Sequence, residues 1–505
     1  MRSLYEPGEP IDPENVLDSS ALILYFPGPK TVTGEDVLEL HVHGGPAIVK
    51  AVLSAIPRCQ VVAGGAGGKI RYAEPGEFTR RAFLNDRLDL TQVEALGDTL
   101  SATTEQQRRL SVRGTTSGLA KRYEAWRKQL LYARGELEAL IDFSEDQHFD
   151  ESTTELLSSV AAQVRVLKRT LAAHVQNAVR GEMLRNGIAI SLLGAPNAGK
   201  SSLLNRIVGR EAAIVSQEAG TTRDVVEVGL DLGGYFCRLG DTAGLRKAKE
   251  ELKGSEKTEE LIGQIEREGM RRAKERAAQS DLVIVVLSLQ QHEDGSVGIQ
   301  LDAEVIDTAV QLQAEMDNVV VVINKTDMSS DTTEMEAAIR ATQEAIPGLP
   351  RHRVHLVSCK DANQTPDSHN SGTDDPGYIQ DFLRGLIGHF AELTAAVAPE
   401  TSSEPGAETT ASDADASIWQ ESLGATERHR LLLESCTAHL EDFITVAEAG
   451  DMNDELEGDG EADVVVAAEH LRFAAECLAK ITGKGDAGDV EEVLGVVFEK
   501  FCVGK

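Results

Sequence analysis

Residues 194–201 read Gly194-Ala-Pro-Asn-Ala-Gly199-Lys200-Ser201, the spacing G-x-x-x-x-G-K-[ST]. The stretch follows the apolar run Ile188–Leu193 and leads into Ser202-Leu-Leu-Asn, so a strand, a tight loop and a helix are expected in that order. Such a loop aims several backbone N–H groups at phosphate oxygens, which requires glycine where the chain turns sharply. Lys200 would bring charge to the β- and γ-phosphates, and Ser201 would offer a hydroxyl to Mg²⁺. The unit belongs in a parallel sheet covered by helices. The short β-branched runs Leu282–Leu287, Val319–Ile323 and Val354–Val357 continue that strand–helix alternation through residues 187–390.

Further stretches narrow the ligand. Asp241-Thr242-Ala243-Gly244 follows the strand-like Phe236–Leu239, where Asp241 can support Mg²⁺ through water and the Gly244 N–H can meet a γ-phosphate. Asn324-Lys325-Thr326-Asp327 closes the run Val319–Ile323. A carboxylate at Asp327 accepts two hydrogen bonds from a guanine edge and suits adenine badly, so the expected nucleotide is GTP. Ser358-Cys359-Lys360 follows the next strand and fits the loop that backs the base. Gly220-Thr221-Thr222-Arg223-Asp224 lies between the phosphate loop and Asp241, and a threonine there can close onto Mg²⁺ and the γ-phosphate. Ala198, Gly199, Ser202 and Ser216 complete the expected nucleotide contacts. After Gly244 stands Leu245, not a glutamine that could orient the attacking water, so hydrolysis needs another device.

The flanks differ in kind. Residues 1–85 mix short apolar runs, Ala21–Phe26 and Val37–Val42, with Gly- and Pro-rich turns, a small α+β segment. From Leu88 to about Arg185, Leu90, Val93, Leu96 and Leu100, then Leu130, Leu131, Leu137 and Leu140, recur at helical spacing and are expected to line a bundle core. From Trp419 onward Leu431, Leu432, Leu433 and Leu440, then Ala468, Leu471, Ala475 and Leu478, repeat that pattern. The expected domains are 1–86, 87–186, 187–390 and 391–505, an α/β P-loop domain inserted in a helical domain behind a partial α+β domain. Residues 400–417 read as a solvated linker, 448–463 as an acidic loop, and 247–262 and 361–377 as insertions.

The net charge of −33 over 505 residues excludes a protein that wraps nucleic acid with its whole surface, so any RNA contact must be local. The basic stretch Arg108, Arg109, Arg113, Lys121, Arg122, Arg127 and Lys128 is a solvated helix face or such a contact. Six scattered cysteines without a CxxC pair indicate neither a disulfide framework nor a zinc site. The apolar runs are too short to span a bilayer, and no membrane partner is expected.

Together these motifs resemble the MnmE (TrmE) family of tRNA-modifying GTPases. Phe26-Pro-Gly-Pro29, Thr33–Leu40, His43-Gly-Gly-Pro46, Pro75–Thr79, Arg81–Asp86 and the terminal Phe501-Cys-Val-Gly-Lys505 carry the resemblance outside the phosphate loop. It implies a homodimer built on the N-terminal domain, and a formyl- or methylene-tetrahydrofolate site to which Glu39, Arg87 and Lys505 match. It implies a flavoprotein partner, MnmG (GidA), with which a carboxymethylaminomethyl- or taurinomethyl-type group is placed on carbon 5 of the tRNA wobble uridine (uridine 34). It implies G domains that dimerise across K⁺, with Asn197, Ser216, Glu218 and Thr221 as the matching surroundings of that ion and Ser201 and Thr222 on Mg²⁺. A fixed cation there would stabilise transition-state charge as an arginine finger does.

The resemblance also addresses the missing glutamine. In this family a glutamate before an Ile-Gly-x-x-Arg-Ala-like stretch positions the water, and Glu266 in Ile265–Ala273 is the match; on residues alone a solvated helix carboxylate is the favoured reading. Cys502 matches a catalytic thiol beside the folate site. The family carries a strand-rich stretch ahead of Phe26-Pro-Gly-Pro29, including a folate-binding arginine, which points to a truncated gene model or an alternative start for this chain. Arg87 replaces the usual lysine, and Val503 the usual isoleucine. Low-complexity insertions point to a mitochondrial member, cytoplasmic if bacterial. A GTP-switched ribosome-assembly factor is the alternative, and the N-terminal motifs and terminal CVGK speak against it.

Overall fold

The computed structural model describes residues 1–59, 70–116, 118–143, 153–210, 213–216, 228–240, 271, 273–291, 296–329, 331–363, 375, 377–399, 419–452 and 463–484. Two compact units form, one from 1–100, 114–168 and 431–505, the other from 101–113 and 169–430.

In the second unit, eight strands make one mixed sheet in the order β11-β10-β8-β4-β7-β6-β5, with β9 pairing β8. The strands are β4 (Ile188–Leu193), β5 (Ala213–Ser216), β6 (Val228–Leu232), β7 (Tyr235–Leu239), β8 (Leu282–Gln291), β9 (Val297–Gln300), β10 (Val319–Asn324) and β11 (Val354–Leu356). The five strands β11, β10, β8, β4 and β7 run parallel, as the apolar runs require. Helices cover both faces of such strands, so they read as unbroken apolar runs: every residue of β10, and β8 from Leu282 to Leu289, is buried. The sheet departs from a purely parallel one at β5, β6 and β9, which pair antiparallel. β6 and β7 are joined through Gly233 and Gly234, with φ of +59° and +90°, the left-handed pair that a two-residue hairpin turn needs.

The two sheet faces make separate cores. One gathers Ile188, Ile190, Leu203, Ile207, Val286, Val320, Phe382, Leu386 and Phe390; the other gathers Val283, Val285, Val305, Leu312, Val319, Val321 and Ile339. Fully buried Asn177 fastens the stretches that flank residues 400–418. Its Nδ2 donates to the Val397 carbonyl and to Ser422 Oγ, each at 2.8 Å, and its Oδ1 accepts from the Val397 N–H at 2.7 Å.

In the first unit, β1 (Arg2–Tyr5), β2 (Val16–Phe26) and β3 (Val37–His41) form an antiparallel sheet. The His43-Gly-Gly-Pro46 motif is anchored to it. Asp18, whose side chain is fully buried, accepts the His43 backbone N–H at 2.8 Å and meets His43 Nδ1 at 2.9 Å. The helical part comprises Leu90–Ser101, Gly118–Phe143, the first half of Thr153–Asn186, Glu427–Met452 and Val464–Thr482, the last packing along Gly118–Phe143. Leu90, Val93, Leu130, Leu137, Leu433, Leu440, Leu471 and Leu478 are buried as the periodicity requires. Leu100, Leu131 and Leu431 are not, being 52%, 37% and 53% exposed. Leu131 directly follows buried Leu130, and Leu431 lies two residues before buried Leu433; a helix turns about 100° per residue, so positions one or two residues from a core position face elsewhere.

Candidate nucleotide-binding site

The site lies at the C-terminal ends of β4 and β10, where ligands of open α/β sheets bind. β4 delivers the loop 194–199, and the helix Lys200–Arg210 departs from it with its N-terminus at the cleft. The glycines there have identifiable tasks. A Cβ on Gly194 would overlap the Val286 carbonyl oxygen of the adjacent strand. Gly199 has φ +103°, and a Cβ on it would overlap the Asn324 amide nitrogen. Asn197 adopts φ +64°, a left-handed conformation that asparagine tolerates better than most residues, and it is exposed at the mouth of the cleft.

Lys200 Nζ is held on the loop itself, donating to the Gly194 carbonyl at 2.6 Å and the Ala195 carbonyl at 2.8 Å. The ammonium is therefore centred inside the loop it would share with phosphates. Ser201 and Ser202 are exposed on the first helical turn, Ala198 is buried beneath the loop, and Leu203 N donates to the Gly199 carbonyl at 2.9 Å to start the helical ladder.

The loops expected to hold the base form a second preformed assembly. Asn324 Nδ2 donates to the Ala198 carbonyl at 2.9 Å, and its Oδ1 accepts from the Cys359 N–H at 3.3 Å, so one buried side chain joins three loops. Lys325 turns the chain with φ +67°. Asp327 is received by the following loop: Ser358 Oγ donates to Oδ1 at 3.0 Å and Lys360 Nζ to Oδ2 at 3.1 Å. Burial pushes the Asp327 carboxyl up, and the contacts with Lys360 and Ser358 outweigh it, so the group stays below its ordinary value and ionised. A carboxylate fixed in that state is the acceptor pair a guanine edge needs. The Cys359 thiol is pushed up to about 11, chiefly by burial, and is inert at neutral pH.

A cleft of about 480 Å³ joins the two halves, lined by Asn197, Gly199, Ser202, Asn324, Lys325, Asp327, Cys359 and Lys360. Asn205, Arg206 and Met328 line it as well. No sequence motif marks those three, although Asn205 and Arg206 lie about one turn beyond Ser201–Ser202 and Met328 directly follows Asp327.

Thr221, Thr222, Glu218, Asp241, Thr242, Ala243, Gly244 and Glu266 lie outside the described residues, as do Cys502 and Lys505 and the side chain of Ser216. The expected folate contacts fall in the first unit. Glu39 stands on β3 with His41 Nε2 3.0 Å from its carboxylate. Arg87 Nε donates to the Thr31 carbonyl at 2.9 Å, and Asn85 Nδ2 to the Thr33 carbonyl at 2.8 Å, so both side chains hold the loop that follows Phe26-Pro-Gly-Pro29. Much of the basic stretch is compensated locally: Arg108 and Arg109 both pair with Glu105, at 2.8 and 2.7 Å, and Arg127 pairs with Glu124 at 3.3 Å. No helix among the described residues is long and apolar enough to cross a membrane.

Comparison with known proteins agrees with this construction. The family described as the MnmE helical domain matches residues 90–502, and that described as the GTP-binding protein TrmE N-terminus matches residues 2–87. The "tRNA modification GTPase MnmE" of Paramagnetospirillum magneticum is 39% identical over 97% of this chain and 87% of its own length. The "tRNA modification GTPase mss1, mitochondrial" of Schizosaccharomyces pombe is 36% identical over 96% and 84%. The human "5-taurinomethyluridine-tRNA synthase subunit GTPB3, mitochondrial" is 35% identical over 100% and 84%. Two family matches that together span residues 2–502, with the nucleotide cleft inside the second, place the chain in the MnmE (TrmE) family, as a GTP-hydrolysing enzyme.

Proposed function

We propose that the chain hydrolyses GTP to drive modification of carbon 5 of the tRNA wobble uridine (uridine 34), together with an MnmG-type flavoprotein. The observation that carries the guanine half is the Asp327 carboxylate, kept ionised between Ser358 and Lys360 at the end of the cleft. The tRNA half rests on membership of a family whose relatives are named for tRNA modification. The matched flanks leave the ribosome-assembly reading without support.

In this reading Lys200 leaves the Gly194 and Ala195 carbonyls for the β- and γ-phosphates, and the N-terminus of the helix that starts at Lys200 faces the same anions. Ser201, exposed on the first turn of that helix, and Thr222 are the side chains offered to Mg²⁺. Asn197, with an amide carbonyl at the mouth of the cleft, fits an oxygen ligand of K⁺, to which Ser216, Glu218 and Thr221 would add theirs. Bound metal ions supply compensation for charge that develops on the transferred phosphoryl group. Glu266 orients the attacking water, and the G domains meet as a homodimer.

Glu39, Arg87 and Lys505 hold a tetrahydrofolate one-carbon carrier, with Cys502 beside it as the thiol that acts in modification. Glu39 and Arg87 fit polar ligand contacts, since each already engages a polar group of the first unit. The protein works in mitochondria, as the names of two relatives suggest for them. The deciding experiment is uridine 34 profiling in tRNA from a deletion strain, alongside GTP turnover by the purified protein. Unmodified uridine restored by the parental gene is expected, and normal modification in the deletion strain would overturn the reading.

A further inference from the structure

Two helices of the first unit, Glu427–Met452 and Val464–Thr482, bring His439, Asp442 and His470 together. His439 and Asp442 are three residues apart on one helix and so share a face. His470 comes from the other helix, and one ligand-capable atom from each of the three lies within 4.8 Å of the others.

The group is not held together by hydrogen bonds. His470 Nδ1 stands 3.8 Å from Asp442 Oδ2, beyond hydrogen-bond reach. Nδ1 of His439 and Nδ1 of His470 are both buried atoms without a hydrogen-bond partner. Leaving a buried ring nitrogen unsatisfied costs free energy, and each of the two histidines of the group carries such an atom.

The surroundings orient the site. Phe473 stacks on the His439 ring at 5.3 Å, and the Arg472 guanidinium lies 4.3 Å above Phe473. Arg472 is itself paired with Glu469 and Glu476, so its charge does not oppose a nearby cation. Asp463 fixes the start of the second helix by accepting the N–H groups of Val465 and Val466. Asp442 is 59% exposed and supplies both an entry path and the freedom to close by a rotamer change.

We propose that His439, Asp442 and His470 form a binding site for a divalent transition-metal ion, Zn²⁺ in the first instance, that cross-links these two helices. Two imidazoles and one carboxylate suit zinc and disfavour the hard ions Mg²⁺ and Ca²⁺. Zinc bonds of about 2.0–2.2 Å require the donor atoms to draw in by roughly an ångström, with water completing four-coordination. The site is separate from the nucleotide cleft, and the proposal does not depend on how the protein acts on tRNA.

The test uses the full chain, stripped with a chelator and then saturated with GDP and Mg²⁺ so that the nucleotide site is filled. Zn²⁺ titrated by calorimetry should bind at about one ion per chain and raise the melting temperature by a few degrees, as ligand binding to the folded state requires. His470→Gln and Asp442→Asn should each weaken binding by more than about 100-fold, exceeding the 10–100-fold loss known for outer-shell changes. Their metal-free melting curves should match the parent, which separates lost ligation from lost folding. Co²⁺ should give the visible spectrum of a nitrogen- and oxygen-ligated tetrahedral site. Absence of binding, unchanged binding in His470→Gln, or a thiolate-to-cobalt absorption band would each overturn the assignment.

Discussion

Asn324 Nδ2 donates to the Ala198 carbonyl at 2.9 Å, directly over Gly199, so the loop Asn324–Asp327 and the loop Gly194–Gly199 are one assembly. The contact exists because position 199 has no Cβ; a methyl group there would occupy the space of the Asn324 amide. Gly199→Ala should therefore fail twice, through the left-handed backbone at φ +103° and through loss of this tie. Backbone strain of that kind costs about 1–2 kcal/mol. The variant should melt lower than the parent and bind GDP weakly in a fluorescence titration; parental values for both would show that the loops are not coupled in this way.

Lys200→Ala should abolish tight GTP binding, because the phosphates lose their main side-chain cation. Asp327→Asn should lower guanine affinity by on the order of 100-fold or more, since two charge-assisted hydrogen bonds are worth about 1.5–3 kcal/mol each. Calorimetry on both variants checks this, and unchanged GTP affinity would reject the nucleotide site as assigned.

The parts that were legible in the sequence share a physical cause. β8 and β10 are buried on both faces, so their pattern is continuous and β-branched and hard to mistake. The phosphate loop is legible because its glycines answer to steric limits that no other residue meets. β6 carries a weaker mark, the alternation Val-Gly-Leu-Asp-Leu ending at Gly233-Gly234, a hairpin signal too short to stand out beside the buried runs. Arg206 and Met328 carried no such mark, because which side of a short helix or turn faces a cleft is decided by packing. The His439–Asp442–His470 group was unreadable for another reason: His470 lies on a separate helix, and only packing of the two helices brings the three together.

GTP hydrolysis should be faster in K⁺ than in Na⁺, and Asn197→Ala should erase the difference. The motive is the exposed Asn197 amide at the mouth of the cleft together with Leu245 in place of a water-orienting glutamine. Steady-state rates at matched ionic strength decide it, and equal rates in the two salts count against a monovalent-ion site.

Glu266→Ala should keep GTP affinity and slow turnover by roughly 10²-fold, the scale of losing one positioned catalytic group. Cys502→Ser should do the reverse in kind, leaving hydrolysis intact while uridine modification is lost. Both activities should be measured in one preparation with the flavoprotein present. Normal turnover in the first variant would move the search to Glu259, Glu260 or Glu268, and normal modification in the second would reject a chemical role for the thiol.

The Asp327 carboxyl supplies a pH signature that separates its two partners from its burial. In the folded protein burial pushes it up, and Lys360 and Ser358 pull it further down, so its net position is below the ordinary carboxylate value of about 3.9. A depressed folded-state value means that the stability it contributes is present above the unfolded value and is lost only as pH falls through the folded one. Guanine recognition by the parent should therefore show no Asp327 titration between pH 7 and pH 5. Removing both partners, in Ser358→Ala/Lys360→Ala, leaves only a backbone hydrogen bond at Asp327 against burial and should bring protonation of Asp327 to higher pH. GDP affinity of the double variant should then begin to fall at a higher pH than that of the parent, whose own small change accounts for the phosphates. Lys360 is 78% exposed and its pairing is screened by solvent, so Lys360→Ala alone should give only part of the effect. Parallel pH profiles for the double variant and the parent would show that the Ser358 and Lys360 contacts are not what keeps the Asp327 carboxylate ionised.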